Sequence, residues 1–243
     1  MELDNLIINL KDILFSYSEA KPVLDRLSFQ LRRGDRIGLV GPNGCGKTTF
    51  FHVIMGLLRP SAGTIELFNK PVHEEKDFRE ARRRIGLLFQ DPDDQLFSPT
   101  VLEDVAFGPL NLGKSPEEAR AIALKTLARL DLAGFENRVT YKLSGGEKRL
   151  VSLATVLAMD PEVLLLDEPT NGLDEEAMER ITETLKGLDL SYILISHNLD
   201  FLSETTDWLH AMVSGKILLD EALEPHTHIH THRFGRVPHE HKP

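Results

Sequence analysis

Apolar positions in this chain gather into short uninterrupted runs, each closed by glycines or by paired polar residues. In "RIGLVGPNGCGKTTFFHVIMGLL" the apolar run Ile37 to Val40 predicts a strand, the glycines after it predict a loop, and the apolar-rich stretch that follows predicts a helix ending near Leu58. Two further runs, "EVLLLDEP" and "SYILISHN", end in Asp167 and Glu168 and in Ser196 and His197. A strand that is apolar on consecutive positions must be buried on both faces, as in a parallel sheet flanked by helices, and ligands gather beyond the carboxyl ends of such strands. The acidic pair and the Ser-His pair are therefore expected to converge on the loop after Val40. Helix starts are also legible: Ser115 and Glu118 have the spacing of a capping box, with Pro116 at the first helical position, and Ser144 with Glu147 repeats it.

The strand, glycine loop and helix arrive in the order a nucleotide site requires. Gly41, Gly44 and Gly46 let backbone N–H groups turn inward around phosphate oxygens, with Asn43, Cys45 and Thr49 completing the stretch. From the start of the helix Lys47 can reach the β- and γ-phosphates, and Thr48 can offer its hydroxyl to Mg²⁺. Cys45, the one cysteine, has no partner for an intramolecular disulfide and reads as a small packing residue. At the end of its strand Asp167 can hold Mg²⁺ through water, and Glu168, one residue beyond, is free to polarise an attacking water. Alone, "LLLDE" would equally suit a strand ending in solvated charge. The phosphate loop beside it favours the metal-binding reading.

The stretch "LSGGEKRLVSLATVLAMDPEVLLLDEPTNGLD", Leu143 to Asp174, closely resembles the signature, Walker B and D-loop segment of ATP-binding cassette (ABC) ATPases. The resemblance runs from about Leu6 to Ala222 and rests on five motifs in order. It implies an α/β P-loop fold with an antiparallel β subdomain and a small α-helical subdomain, the latter over about 91–160, within a cassette domain spanning 1–225. It also implies that Ser144, Gly145 and Gly146 complete the nucleotide site of an opposite subunit, so that two ATP molecules are sandwiched in a head-to-tail dimer. Each motif occurs once, so the partner is a second copy or a paralogous ATPase. By the same resemblance Tyr17 stacks on adenine, Gln90 senses Mg²⁺ and the attacking water, His197 contacts the γ-phosphate, and Asp174 sits at the dimer seam. Glu147 replaces the commoner glutamine of the signature and keeps the helix cap.

Among cassette proteins the leading expectation is the motor of a membrane transporter, because neither a long coiled-coil or zinc insertion nor a second cassette occurs. A soluble regulatory ATPase is the alternative class. The segment "FQDPDDQLFSPTVLEDVAFGPLNLG" resembles energy-coupling-factor ATPases at Pro92, Asp93, Gln95 and Leu96. That subfamily includes cobalt, nickel and vitamin importers. Phe97 to Leu112 would then form the groove gripping an integral membrane subunit, or else the core of the helical subdomain.

Composition changes this picture little. The apolar content suffices for a large core, and no apolar run approaches the roughly 18 residues of a membrane span. With no signal-like opening, the chain is expected on the cytoplasmic face of the cell membrane as a peripheral subunit. A net charge of −10 gives no general reason to hold nucleic acid. The exception is 226–243, which holds six of the ten histidines and reads as a flexible tail. His226, His228, His230 and His232 alternate, so neighbouring imidazoles point the same way in an extended chain and are candidate ligands for Ni²⁺, Co²⁺ or Zn²⁺. His239 and His241 repeat the spacing. A purification tag or an idle tail is the competing reading.

Overall fold

The structure is a computed structural model, and it describes residues 5–18 and 21–219. The cassette boundary at 225 and the histidine tail lie outside the described residues. Two sheets organise the fold. The first is antiparallel, with strands β1 (Leu6–Phe15), β2 (Leu24–Arg32), β4 (Ala62–Leu67) and β5 (Lys70–Pro71) in the order β2-β1-β4-β5. Along β2, Leu24, Leu27, Phe29 and Leu31 are buried while Ser28, Gln30 and Arg32 are exposed, as expected of a sheet with one wet face.

The second sheet has the order β10-β9-β3-β8-β7-β6, built from β3 (Arg36–Val40), β6 (Ile85–Leu88), β7 (Val163–Asp167), β8 (Ser191–Ile195), β9 (Trp208–Val213) and β10 (Lys216–Leu219). Its strands run parallel except for β10 against β9. Every residue of β7 and β8 is buried, so the two continuous apolar runs of the sequence do lie at the centre of a doubly covered sheet. Leu164, Leu165 and Leu166 are wholly inaccessible. Truncating one such leucine to alanine costs about 2–5 kcal/mol.

Among the described residues the α-helices are α1 (Lys47–Ile54), α2 (Glu75–Arg82), α3 (Val101–Asn111), α4 (Pro116–Arg129), α5 (Gly145–Leu157), α6 (Glu175–Lys186) and α7 (Leu199–Thr205). Between β6 and β7 the chain is helical, and α5 packs back on β6 so closely that a Cβ on Gly86 would lie 2.2 Å from Val156 Cγ1. Reciprocal capping boxes close the starts of α4 at Ser115 and of α5 at Ser144, as their spacing predicts.

One boundary is corrected. The helix expected to end near Leu58 stops at Ile54, and Gly56 turns left-handed at φ 67° against the ring of Phe78. The amides of Leu57 and Leu58 then both return to the His52 carbonyl. The apolar pattern outlasts the helix because Leu58 packs on the core from outside it.

Candidate nucleotide site

β3 delivers the glycine loop to the carboxyl edge of the central sheet, and α1 leads away from it. Gly41 lies where a Cβ would stand 2.4 Å from the Met212 carbonyl oxygen of β9, so only glycine lets the loop pass this close. Cys45 is buried beneath the loop, in keeping with a packing role. The Lys47 ammonium is folded over the loop, donating to the Gly41 carbonyl at 2.7 Å and to the Pro42 carbonyl at 3.2 Å. Thr48 Oγ1 donates to Asp167 Oδ2 at 2.7 Å, which brings the start of α1 onto the end of β7.

Glu168 follows Asp167 in the left-handed region at φ 48°, an arrangement that costs a non-glycine residue about 1 kcal/mol or more. Its amide donates to the Ile195 carbonyl of β8. Among the described residues its buried Oε1 has no hydrogen-bond partner, although His197 Nε2 stands within ion-pair range at 3.2 Å. The same imidazole nitrogen lies 3.1 Å from Asn43 Oδ1. Burial pushes the Asp167 carboxyl above the ordinary aspartate range, against the Thr48 hydrogen bond and the nearby His52, Lys47 and Arg149. Burial likewise raises Glu168, which Asp167 reinforces and His197 opposes.

A cleft of about 380 Å³ opens over these groups, lined by Tyr17, Val23, Asn43, Gly44, Gly46, Lys47, Thr48, Thr49, Gln90, Asp167 and Glu168. Tyr17 stands exposed beside it, its ring edge-on to Phe15 and its hydroxyl 3.1 Å from Thr49 Oγ1. The strand ends and the glycine loop thus converge as their patterning requires. Gln90 also borders an adjoining cavity of about 640 Å³ that reaches His52, Asp91 and Asn171.

Ser144, Gly145, Gly146 and Asp174 do not line the cleft. They sit together elsewhere on the surface: Ser144 caps α5, Asp174 caps α6 by accepting from the Ala177 amide, and a Cβ on Gly146 would meet that of Ala177 at 3.0 Å. Glu147 accepts from the Ser144 amide and pairs with Arg138 through both oxygens at 2.7 and 3.3 Å. The backbone-bonded carboxyl is accordingly held below the usual glutamate range.

Arg149 is the buried residue that patterning missed. It is only 3% exposed on α5, where its guanidinium donates to the carbonyls of Phe89 at 2.7 Å and of Gln90 at 2.6 Å. The available signal was its place: from Leu150 onward α5 is almost wholly apolar, so a charge at its edge must find acceptors inside.

A second surface lies on α3. Of the stretch Phe97 to Leu112, Val101, Val105, Ala106 and Pro109 face the core, while Phe97, Phe107 and Leu110 are exposed. Pro99, Leu102, Phe107 and Leu110 border a mostly apolar groove of about 430 Å³, with Arg120 of α4 at its side.

Residues 24–171 match the family model for ABC transporters. Over 87% of its length the chain is 42% identical to the energy-coupling factor transporter ATP-binding protein EcfA of Methanocaldococcus jannaschii, covering 77% of that protein. CbiO1 from Clostridium perfringens, described as part of the ABC transporter complex CbiONQ, superimposes with a TM-score of 0.79 at 35% identity, covering 88% of each chain. The ATP-binding cassette MJ0796, solved as a dimer bound to ADP and Pi in a post-hydrolysis state, superimposes with a TM-score of 0.81 at 26% identity over 90% of this chain and 100% of that one.

Proposed function

The chain belongs to the ABC transporter family of ATP-binding proteins, as an ATPase, and we propose that it is the motor subunit of an energy-coupling-factor type importer on the cytoplasmic face of the cell membrane. The observation that carries the catalytic assignment is the buried, unbonded Oε1 of Glu168 beside the Thr48–Asp167 hydrogen bond, at the floor of the cleft.

In this reading the glycine-loop amides from Gly41 to Gly46 and the Lys47 ammonium hold the phosphates, and Tyr17 takes the adenine face. Cys45 and Thr49 complete the loop and the first turn of α1. The oxygen donors Thr48, Asp167 and Gln90 suit Mg²⁺, a hard cation that takes such ligands, and would hold it. When bound, it neutralises charge on the phosphate oxygens. Glu168 accepts the proton of the attacking water, burial making it a stronger base than an ordinary glutamate, and Gln90 orients that water. His197, tethered near Asn43, faces the γ-phosphate.

Ser144, Gly145 and Gly146, set away from the cleft of their own chain, serve the nucleotide of a head-to-tail partner, either a second copy or a paralogous ATPase. Asp174 lies at the seam. The dimeric MJ0796 cassette supports pairing of two such chains. The groove on α3 docks the integral membrane subunit, a reading supported by the exposed apolar side chains of Phe107 and Leu110 that border it.

The cargo is a divalent metal ion, cobalt or nickel. The support is the resemblance at Pro92 to Leu96 together with the alternating histidines His226 to His232, which we read as a modest-affinity site for Ni²⁺, Co²⁺ or Zn²⁺. Calorimetry with Ni²⁺ and Co²⁺ on the full chain and on a chain ending at Pro225 tests the tail. Equal uptake by both would remove it as the site. Mg²⁺-dependent phosphate release by the purified chain tests the ATPase assignment, and copurification with the membrane subunit from the native source tests the transporter.

A further inference from the structure

The backbone that carries Gln90 is tied to α5 by side-chain hydrogen bonds. Arg149 donates to the carbonyls of the two peptide bonds that flank the Gln90 Cα, those of Phe89 and Gln90, and Phe89 donates its amide to Gln95 Oε1. Gln95 in turn donates from Nε2 to the Ser152 carbonyl at 2.8 Å and to Thr155 Oγ1 at 2.7 Å. Apart from Gln95 itself, which follows the turn Pro92–Asp94, these anchors belong to α5. The Gln90 side chain is exposed to the cleft and, among the described residues, makes no hydrogen bond of its own. Its aim is therefore set by the backbone, and the backbone by α5.

The cost of this arrangement argues that it is used. A guanidinium 3% exposed, with Nε unbonded and no carboxylate in ion-pair range among the described residues, is an expensive way to satisfy two carbonyls that water or an amide could serve. Its charge is compensated at longer range by Asp91, Asp167 and Glu168, which oppose the effect of burial on it. The planar fork reaches two acceptors in one fixed geometry, which an ammonium does not reproduce.

We propose that Arg149 is a positioning residue for Gln90, fastening the Phe89–Gln90 peptide to the helix whose first turn carries the Ser144–Glu147 capping box. The inference rests on the assignment of Gln90 to the ATPase site. It has a consequence for the dimer: the end of α5 that serves the partner's nucleotide and the glutamine that serves the chain's own nucleotide belong to one clamped body, so engagement of one is felt at the other.

The test is a double-mutant cycle on the full chain: wild type, Arg149→Met, Gln90→Ala and the pair, with Arg149→Lys as the conservative variant. Turnover of Mg-ATP and affinity for a fluorescent ATP analogue without Mg²⁺ are both read. Arg149→Met should lower kcat by about tenfold or more, the scale of a misplaced catalytic group, with nucleotide affinity within about twofold of wild type. Arg149→Lys should fall between, and the double variant should turn over no more slowly than Gln90→Ala alone. If Arg149→Met does not fold, as its melting curve will show, the cycle is run on Arg149→Lys. Losses that multiply in the double variant, or a folded Arg149 variant at wild-type kcat, overturn the proposal. A wild-type chain without Mg-ATP turnover would instead sink the ATPase assignment itself.

Discussion

Thr48 Oγ1 donates to Asp167 Oδ2 across 2.7 Å, joining the first turn of α1 to the last residue of β7. Two segments far apart in sequence thereby place a hydroxyl and a carboxylate side by side, beside the lysine that covers the loop. The contact stands where Mg²⁺ would sit in the proposed reading. Asp167→Asn keeps a side chain of the same shape and removes the charge. It should weaken Mg²⁺ dependence of phosphate release by about 10–100-fold, while ATP affinity without Mg²⁺ is retained. An unaltered Mg²⁺ titration curve would count against Asp167 as a metal-holding group.

Burial also has a stability consequence. The Glu168 carboxyl holds its proton to a higher pH in the folded chain than in the unfolded one, chiefly through burial. Within that window the folded state binds more protons, so stability falls as pH rises through it, and at neutral pH the full penalty of the buried charge is present. Glu168→Gln should therefore melt higher than wild type at pH 7, by roughly 2–4 °C for each kcal/mol relieved, and the difference should shrink below about pH 4.5. Melting curves at pH 7 and pH 4 decide the sign.

The opposite case is Glu162, whose carboxyl accepts from Arg84 and Arg33 and is held down at about 2. Its contribution is complete above the ordinary glutamate value and is lost as pH falls toward 2. The pair is partly exposed and screened, so Glu162→Gln should cost about 1 kcal/mol at pH 7. Urea titrations of both proteins should converge as the pH approaches 2.

The groove on α3 offers a surface that can be changed without touching the cleft. Phe107→Asp with Leu110→Asp should leave the basal ATPase rate of the isolated chain within about twofold, since exposed substitutions are usually near neutral, and should abolish copurification with the membrane subunit. Retained assembly would place the docking surface elsewhere.

Much of the site was legible because its determinants are local. The glycines from Gly41 to Gly46, the apolar runs ending at Leu166 and Ile195, and the Ser-x-x-Glu caps at Ser115 and Ser144 each act within a few residues of themselves. What the pattern misplaced was the end of α1, because Leu57 and Leu58 continue an apolar sequence after Gly56 has turned the backbone. What it missed was Arg149, whose acceptors lie 59 and 60 residues away and obey no helical or strand period. The distance between the signature helix and the chain's own cleft was equally beyond reach of patterning, since it depends on how α5 and α6 pack on the sheet.

The central claim is a nucleotide site completed by a second chain, and light scattering of Glu168→Gln with and without Mg-ATP tests it most directly. With hydrolysis blocked, each ATP should remain bridged between the Lys47 loop of one chain and the Ser144–Gly146 end of the other. The account predicts a shift from the 27.4 kDa monomer to a particle of twice that mass on addition of nucleotide, reversed when nucleotide is removed. A Glu168→Gln chain that binds ATP and stays at the monomer mass would contradict it.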